Sequence, residues 1–397
     1  MKRRWILVAP LYVLAFGFGL KEGTDYKRLH FDAIVVDTHN DVVQRILAGE
    51  DISTRTQHGH SDLPRFREGG LDVEMFSIWV PPEKTMRSYY DQANEQIDSI
   101  ESLVKRNPSQ VGMAHTSSEV EKLVREGKFV AMLGMEGGHP IANDLTRLDA
   151  FYKRGVRYMT LTWNNSTDWA TSAKDETDPD LQLKSKGLTS FGKEVVRRMN
   201  KIGMMVDVSH VGEQTFWDVI ATTTKPVIAS HSSAWELCHH RRNLKDNQLR
   251  AIKENGGVVF INFSASFIDS TFAVKEKSMQ DRNKARIDSF KAVSSMKDDF
   301  LLRNAMAEFL KDEYQPIRPT LKQLVDHFDY VVKLIGVEHV GIGSDFDGIP
   351  VTPADMDDVT FLPNITRELL NRGYSEEDVR KILGENFLRV LREAEKK

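Results

Sequence analysis

Residues 204–234 read MMVDVSHVGEQTFWDVIATTTKPVIASHSSA. An apolar run at 204–208 ends close to His210, a helical pattern follows at 213–222, and a second apolar run at 226–229 ends close to His231. Short runs of this kind, rich in Val, Ile and Met, read as buried strands, and a strand, helix, strand succession is the unit of a parallel sheet.

The alternation extends outward in both directions. From residue 33 onward eight apolar runs occur, at 33–36, 73–80, 129–133, 157–161, 204–208, 226–229, 258–263 and 339–343. Helical patterns lie between them, among others at 91–104, 188–202, 213–222, 246–254 and 320–334. Eight strand–helix units close a (β/α)₈ barrel of the TIM type, whose chemistry sits at the C-terminal ends of the strands. One connection is longer, with about fifty residues between the seventh run and the helix before the eighth, including the charged stretch 275–286 and the helical pattern 300–311. Residues 268–319 therefore read as an insertion on the loop face, a lid over the site. A further helical stretch at 360–372, then the helix-start signal Ser375-Glu376-Glu377 and an amphipathic helix to about Ala394, complete a single catalytic domain spanning 21–397.

Composition narrows the function. The 397 residues are 40% hydrophobic and 28% charged, as in a globular protein, and the net charge is −4. No basic stripe is present, so nucleic acid is excluded as a partner. Cys238 is the single cysteine, which rules out an internal disulfide and a cysteine-based zinc site. Any metal must be held by histidines and carboxylates. At the N-terminus, Lys2, Arg3 and Arg4 precede an apolar run over 5–20, interrupted by Pro10 and glycines. This reads as an export signal, because the run is shorter than the roughly 20 residues a spanning helix prefers and Gly17-Phe18-Gly19 offers a cleavage site. An uncleaved membrane anchor is the alternative. No cysteine stands nearby to carry a lipid, and export without disulfides fits a bacterial periplasm.

The candidate chemistry falls just after the apolar runs. His39 and Asp41 follow the first run two residues apart, so in an extended chain they point the same way. Glu136 ends the apolar part of FVAMLGMEGG at 129–138; a buried carboxylate there needs partners, and its two oxygens could bridge two metals. His210 and His231 end two consecutive runs, side by side on the rim, and neutral imidazole is the commonest metal ligand. The eighth run ends in GSDFDG at 343–348, making Asp345 the candidate proton-transfer residue and Asp347 a turn residue before Gly348. Asp207, three residues before His210, is expected on the other side of its strand. His139 lies beyond the double glycine, and His58, His60, His115, His239 and His240 are read as solvent-side or structural.

The segments DTHND, GMEGG, DVSH, ASHSSA, RRN and GSDFDG, in this order over nearly all of 30–393, resemble the renal or membrane dipeptidase family of the amidohydrolase superfamily. The resemblance implies hydrolysis of dipeptides with two zinc ions per chain, one held by His39, Asp41 and Glu136 and the second by Glu136, His210 and His231. It further implies that Asp345 is the acid/base residue and that Arg242, eleven positions after His231, holds the substrate's C-terminal carboxylate. Two substrate-contacting positions depart from the mammalian pattern: Trp163 stands in place of a histidine, and Phe267 in place of a tyrosine. The residues alone leave open another amidohydrolase reaction, on a lactone, ring amide or phosphoester, and a non-catalytic exported binding protein. Arg242 discriminates against the first, since only a carboxylate-bearing substrate needs it, and the complete ligand set argues against the second. The preferred dipeptide and the choice between monomer and homodimer are left open.

Overall fold

The computed structural model describes residues 25–82, 87–294, 296 and 299–396. Residues 1–20, read from sequence as a signal or anchor, lie outside them, and among the described residues no helix is long and apolar enough to cross a membrane.

Nine strands are present among the described residues: β1 (Val36–Asn40), β2 (Val73–Trp79), β3 (Val111–Met113), β4 (Phe129–Glu136), β5 (Val156–Thr160), β6 (Met205–Asp207), β7 (Ile228–Ala229), β8 (Val258–Ile261) and β9 (Val340–Ile342). All pair in parallel, and a β2–β4 ladder closes the sheet into a barrel of eight strands, in the order β1, β2, β4, β5, β6, β7, β8, β9. The remaining strand, β3, pairs with the start of β4 (Val111↔Phe129), on the edge that β5 joins further along (Leu133↔Val156). Sequence patterning misses β3 because three residues including Gly112 offer no alternation to read.

The first strand is shifted from its apolar run, 33–36, to Val36–Asn40, and β4 continues past 133 to Glu136. The cause is the polar upper interior of the barrel. Asp37, Thr38, His39 and Asn40 are as buried as any core residue, so hydrophobicity stops marking the strand before the strand ends. Lower down, Val36, Val73, Met75, Val130, Met132, Met205, Ile228, Val258 and Phe260 fill the interior. The last helix, Asn386–Glu395, packs Phe387, Leu388 and Leu391 onto them from below. Its approach depends on Gly384, where a Cβ would stand 2.2 Å from the Ile34 carbonyl oxygen.

The outer helices keep close to their patterns, for example Glu213–Thr222, Asp246–Asn255 and Leu321–Ile335. The last begins at a capping box in which the Thr320 side chain accepts from Gln323 N and Gln323 reaches back to Thr320 N. Between β8 and the helix Leu321–Ile335, five helices occur among the described residues: Ala265–Ile268, Phe272–Arg282, Lys284–Val293, Asp299–Phe309 and Lys311–Tyr314. Phe272, Met279, Ile287, Ala307, Leu310 and Tyr314 make a small core of their own, joined by Val351 from the loop after β9. The insertion thus rests on the loop that carries Asp345. Arg303 donates to the Gly348 carbonyl (2.9 Å) and Asn304 to that of Asp347 (3.1 Å).

Candidate metal centre

The five ligand-type side chains meet at the C-terminal rim. Glu136 stands at the centre. Its Oε2 lies 3.5 Å from His39 Nε2, which in turn lies 3.5 Å from Asp41 Oδ2. Its Oε1 lies 2.8 Å from His210 Nε2 and 3.5 Å from His231 Nε2, and those two nitrogens are 2.9 Å apart. One carboxylate therefore presents one oxygen to each of two ligand groups.

The surroundings prepare the imidazoles as ligands. Tyr158 OH donates to the Thr38 carbonyl (2.9 Å), so at 3.0 Å from His39 Nδ1 its oxygen accepts a hydrogen bond from Nδ1–H, which leaves the Nε2 lone pair for a ligand role in the neutral ring. Ser230 Oγ donates to Asp207 Oδ2 (2.6 Å) and accepts from His231 Nδ1 (2.8 Å), again freeing Nε2. Such outer partners set tautomer and ring orientation in metal sites. Burial, reinforced by the Arg242 charge, lowers the His210 pKa to about 3; burial and the charge on His39 hold His231 well below the ordinary range. Both imidazoles are neutral, the form that binds metal. Burial opposes charge on His39, yet Tyr158, Glu136 and Asp41 together raise its pKa well above the ordinary range: the carboxylates call for positive charge at this point. His39 Nε2 and Asp41 Oδ1 are buried without a hydrogen-bond partner. Unpartnered buried polar atoms of this kind, where carboxylates call for positive charge, fit a divalent cation in place of a proton. Two overlapping sets that share His39 bring their donor atoms within 4.8 Å of one another, and either could hold an ion: His39, Glu136 and His231, or His39, Asp41 and Asp345.

Two site residues sit in the left-handed backbone region, His210 and Asp345, each at φ 64°. That conformation is uncommon outside glycine and gathers at functional sites. For His210 it arises because β6 ends at Asp207, after which the chain turns the imidazole back into the mouth. Asp207, expected on the other side of its strand, consequently lies beneath the same site. It is fully buried, with Oδ1 accepting from Ser209 N and Ser230 N and Oδ2 from Thr160 and Ser230 hydroxyls.

Asp345 Oδ2 accepts from Asn262 Nδ2 (2.8 Å). Its Oδ1 and Asp41 Oδ2 both crowd Gly348, where a Cβ would be 2.2 and 2.1 Å away. Only glycine leaves room for the two carboxylates. Burial holds the Asp345 carboxyl well above the ordinary range; His39 opposes the shift, and Asp41 and Glu136 add to it. Asp347 is a turn residue as read, at φ 62°, and also the buried partner of Arg45 at 3.1 Å.

A cavity of about 530 Å³ opens over the centre, lined by Asp41, Glu136, His210, Asp345, Arg242, Trp163 and Phe267 among others. Arg242 is 5% exposed, donates to the His231 carbonyl (3.2 Å), and leaves Nε without a partner. Burial lowers its pKa to about 10, so it is charged at neutral pH; no carboxylate pairs with it within 4 Å among the described residues. A solvated surface charge is excluded, and the residue lines the cavity. Phe267 packs between the Arg242 guanidinium (5.6 Å) and the His240 ring (4.3 Å). His240, read as solvent-side or structural, lines the cavity, because the stack on Phe267 turns it inward. His60 is structural as read, its Nδ1 accepting from Asp347 N (2.9 Å). The sequence reading misses Trp79, Tyr158, Ser230, Asn262 and Arg303. Trp79, Ser230 and Asn262, at the ends of apolar runs, stand where the barrel rule could have flagged them.

The matches to known proteins agree with this geometry. The family model described as membrane dipeptidase (peptidase family M19) matches residues 24–397. The dipeptidase tcpJ of Claviceps purpurea is 32% identical over 374 residues, covering 90% of this chain and 76% of the relative. Among solved structures, the probable dipeptidase PvdM from Pseudomonas aeruginosa is 28% identical with a TM-score of 0.76, covering 93% of this chain and 97% of its own. A metallopeptidase from Rhodobacter sphaeroides, liganded with a phosphinate mimic of the dipeptide L-Ala-D-Ala, is 26% identical with a TM-score of 0.72, covering 91% and 100%. With a barrel of eight strands, a Glu136-centred ligand cluster and a family match over nearly its whole length, the chain belongs to the membrane dipeptidase family, peptidase family M19.

Proposed function

We propose that this chain hydrolyses dipeptides with two divalent metal ions, zinc by the nature of the ligand set. His39, Asp41 and Glu136 would hold one ion, and Glu136, His210 and His231 the other. The observation that carries this reading is the division of the Glu136 oxygens, one toward His39 and one toward the His210–His231 pair. When bound, such ions polarise a carbonyl and lower the pKa of water toward about 7.

The remaining work falls to the protein. Arg242 receives the substrate's terminal carboxylate through the planar pair of N–H donors that suits it. At a fixed distance from the centre, this clamp leaves room for one residue between the scissile carbonyl and the carboxylate, which excludes longer peptides. Asp345, with Oδ2 held by Asn262, offers Oδ1 to take a proton from the attacking water and return it to the leaving amine. The insertion acts as a lid, and the basic, apolar N-terminus supports export to the periplasm or retention at a membrane. Cell fractionation that finds the protein in the cytoplasm would count against export. The catalytic reading is tested by offering dipeptides, tripeptides and acyl-amino acids to metal-reconstituted protein. Dipeptides alone should be cleaved, and failure to cleave any dipeptide would overturn the reading.

A further inference from the structure

Order around the barrel separates the cavity walls. Arg242 and Phe267 come after β7 and β8, the sixth and seventh strands around the barrel, whereas Trp79 ends β2 and Trp163 comes after β5, the second and fourth. In a closed barrel of eight these are opposing arcs; Glu136 ends β4, between the strands that precede the two tryptophans, and His210 follows β6, between Trp163 and Arg242 around the barrel. The far arc is aromatic. The Trp79 and Trp163 ring centroids are 5.0 Å apart, Phe300 of the insertion lies 5.6 Å from Trp79, and Trp163 lies 6.2 Å from the His210 ring. All three line the cavity. Apart from the ligand cluster and Asp345, the charged groups lining it are Arg241, Arg242, Glu276 and Arg303, which come from the clamp arc or the insertion. Arg303 donates to the Gly348 carbonyl on the β9 side, and its guanidinium lies 5.8 Å from the Phe300 ring centroid, a cation at the edge of the aromatic arc.

Resting on the dipeptidase reading, we infer that Trp79, Trp163 and Phe300 form the subsite for the substrate's N-terminal side chain and select bulky apolar or aromatic residues there. A dipeptide with its carboxylate on Arg242 and its scissile carbonyl at the metal cluster extends its first residue toward this arc. A side chain placed there leaves water for three aromatic rings whose polar atoms, besides Asn164, are the two indole N–H donors, so most of the gain comes from buried apolar area. Exchanging alanine for phenylalanine at that position should raise kcat/KM roughly 10–100-fold, the range expected for burying an aromatic side chain. Phe300 makes the selection depend on the insertion and not on the barrel alone.

The test is kcat/KM of the metal-replete enzyme on Phe-Gly, Ala-Gly, Glu-Gly and the reversed Gly-Phe. We expect Phe-Gly to exceed both Ala-Gly and Gly-Phe. The Phe-Gly to Ala-Gly ratio should fall about tenfold in Phe300→Ala and less in Phe300→Leu, which keeps apolar bulk and guards against misreading a folding defect. Cleavage of all four at similar rates, or an unchanged ratio in Phe300→Ala, would overturn the subsite while leaving the dipeptidase reading intact. Preference for Glu-Gly would overturn it in favour of Arg303. Absence of any dipeptide cleavage would overturn both.

Discussion

Replacing Arg242 by methionine removes the charge while keeping an unbranched side chain of related length against Phe267. In the wild type the guanidinium is 5% exposed, carries its charge in a dry environment, and has only a carbonyl and a hydroxyl at 3.2 and 3.4 Å as partners. A carboxylate arriving there would make charge-assisted bonds worth about 1.5–3 kcal/mol beyond those of a neutral amide. At about 1.4 kcal/mol per decade this is a preference of roughly 10–150-fold. The assay is kcat/KM on a dipeptide and on the same dipeptide amidated at its C-terminus, for wild type and Arg242→Met, with metal content measured on both proteins. The wild type should prefer the free acid by that factor and the variant should treat the two nearly alike. A variant of normal metal content that still distinguished acid from amide as the wild type does would remove Arg242 from the substrate site and reopen the other hydrolase reactions.

The same geometry sets three further outcomes. Protease nicking within 268–319 should slow when a non-hydrolysed dipeptide analogue binds, since the insertion lines the cavity; equal cleavage rates would deny it a gating role. Ser230→Ala should weaken metal binding on the His210–His231 side about 10–100-fold in a chelator competition, because His231 loses the acceptor that orients it, and an unchanged affinity would contradict that role. His30 is buried between Thr366 and Gly69, and burial lowers its pKa to about 4. The unfolded chain then binds more protons, so stability is full above pH 6.5, falls as pH drops below it, and levels off below pH 4, by about 3 kcal/mol at most. Urea midpoints of His30→Gln should lose less on acidification than those of wild type; parallel profiles would refute the assignment.

Much of this was legible in the sequence, for one physical reason. Barrel strands in the lower interior and on the helix side are apolar, so runs such as 129–133 and 258–263 announce themselves, and the barrel rule directs attention to the residues just beyond their C-terminal ends. Legibility fails where the interior turns polar. Asp37, His39 and Asn40 are strand residues without a strand signature, and Asp207 is a buried carboxyl group hydrogen-bonded by donors from β5 and from the end of β7 that lie far away in sequence. Contacts made by the insertion are invisible for a related reason. That Phe300 meets Trp79 or that Asn304 meets Asp347 depends on how the helices between β8 and β9 fold back, and local patterning carries no record of it.

The most direct test of a bridged two-metal centre is the metal stoichiometry of the purified chain after reconstitution with zinc. If Glu136 serves two ions through its two oxygens, elemental analysis should find about two per chain. His210→Ala should lose chiefly one, and Glu136→Gln should weaken both. A wild-type protein that stays at one ion per chain under saturating zinc would contradict the bridged centre on which the proposed mechanism rests.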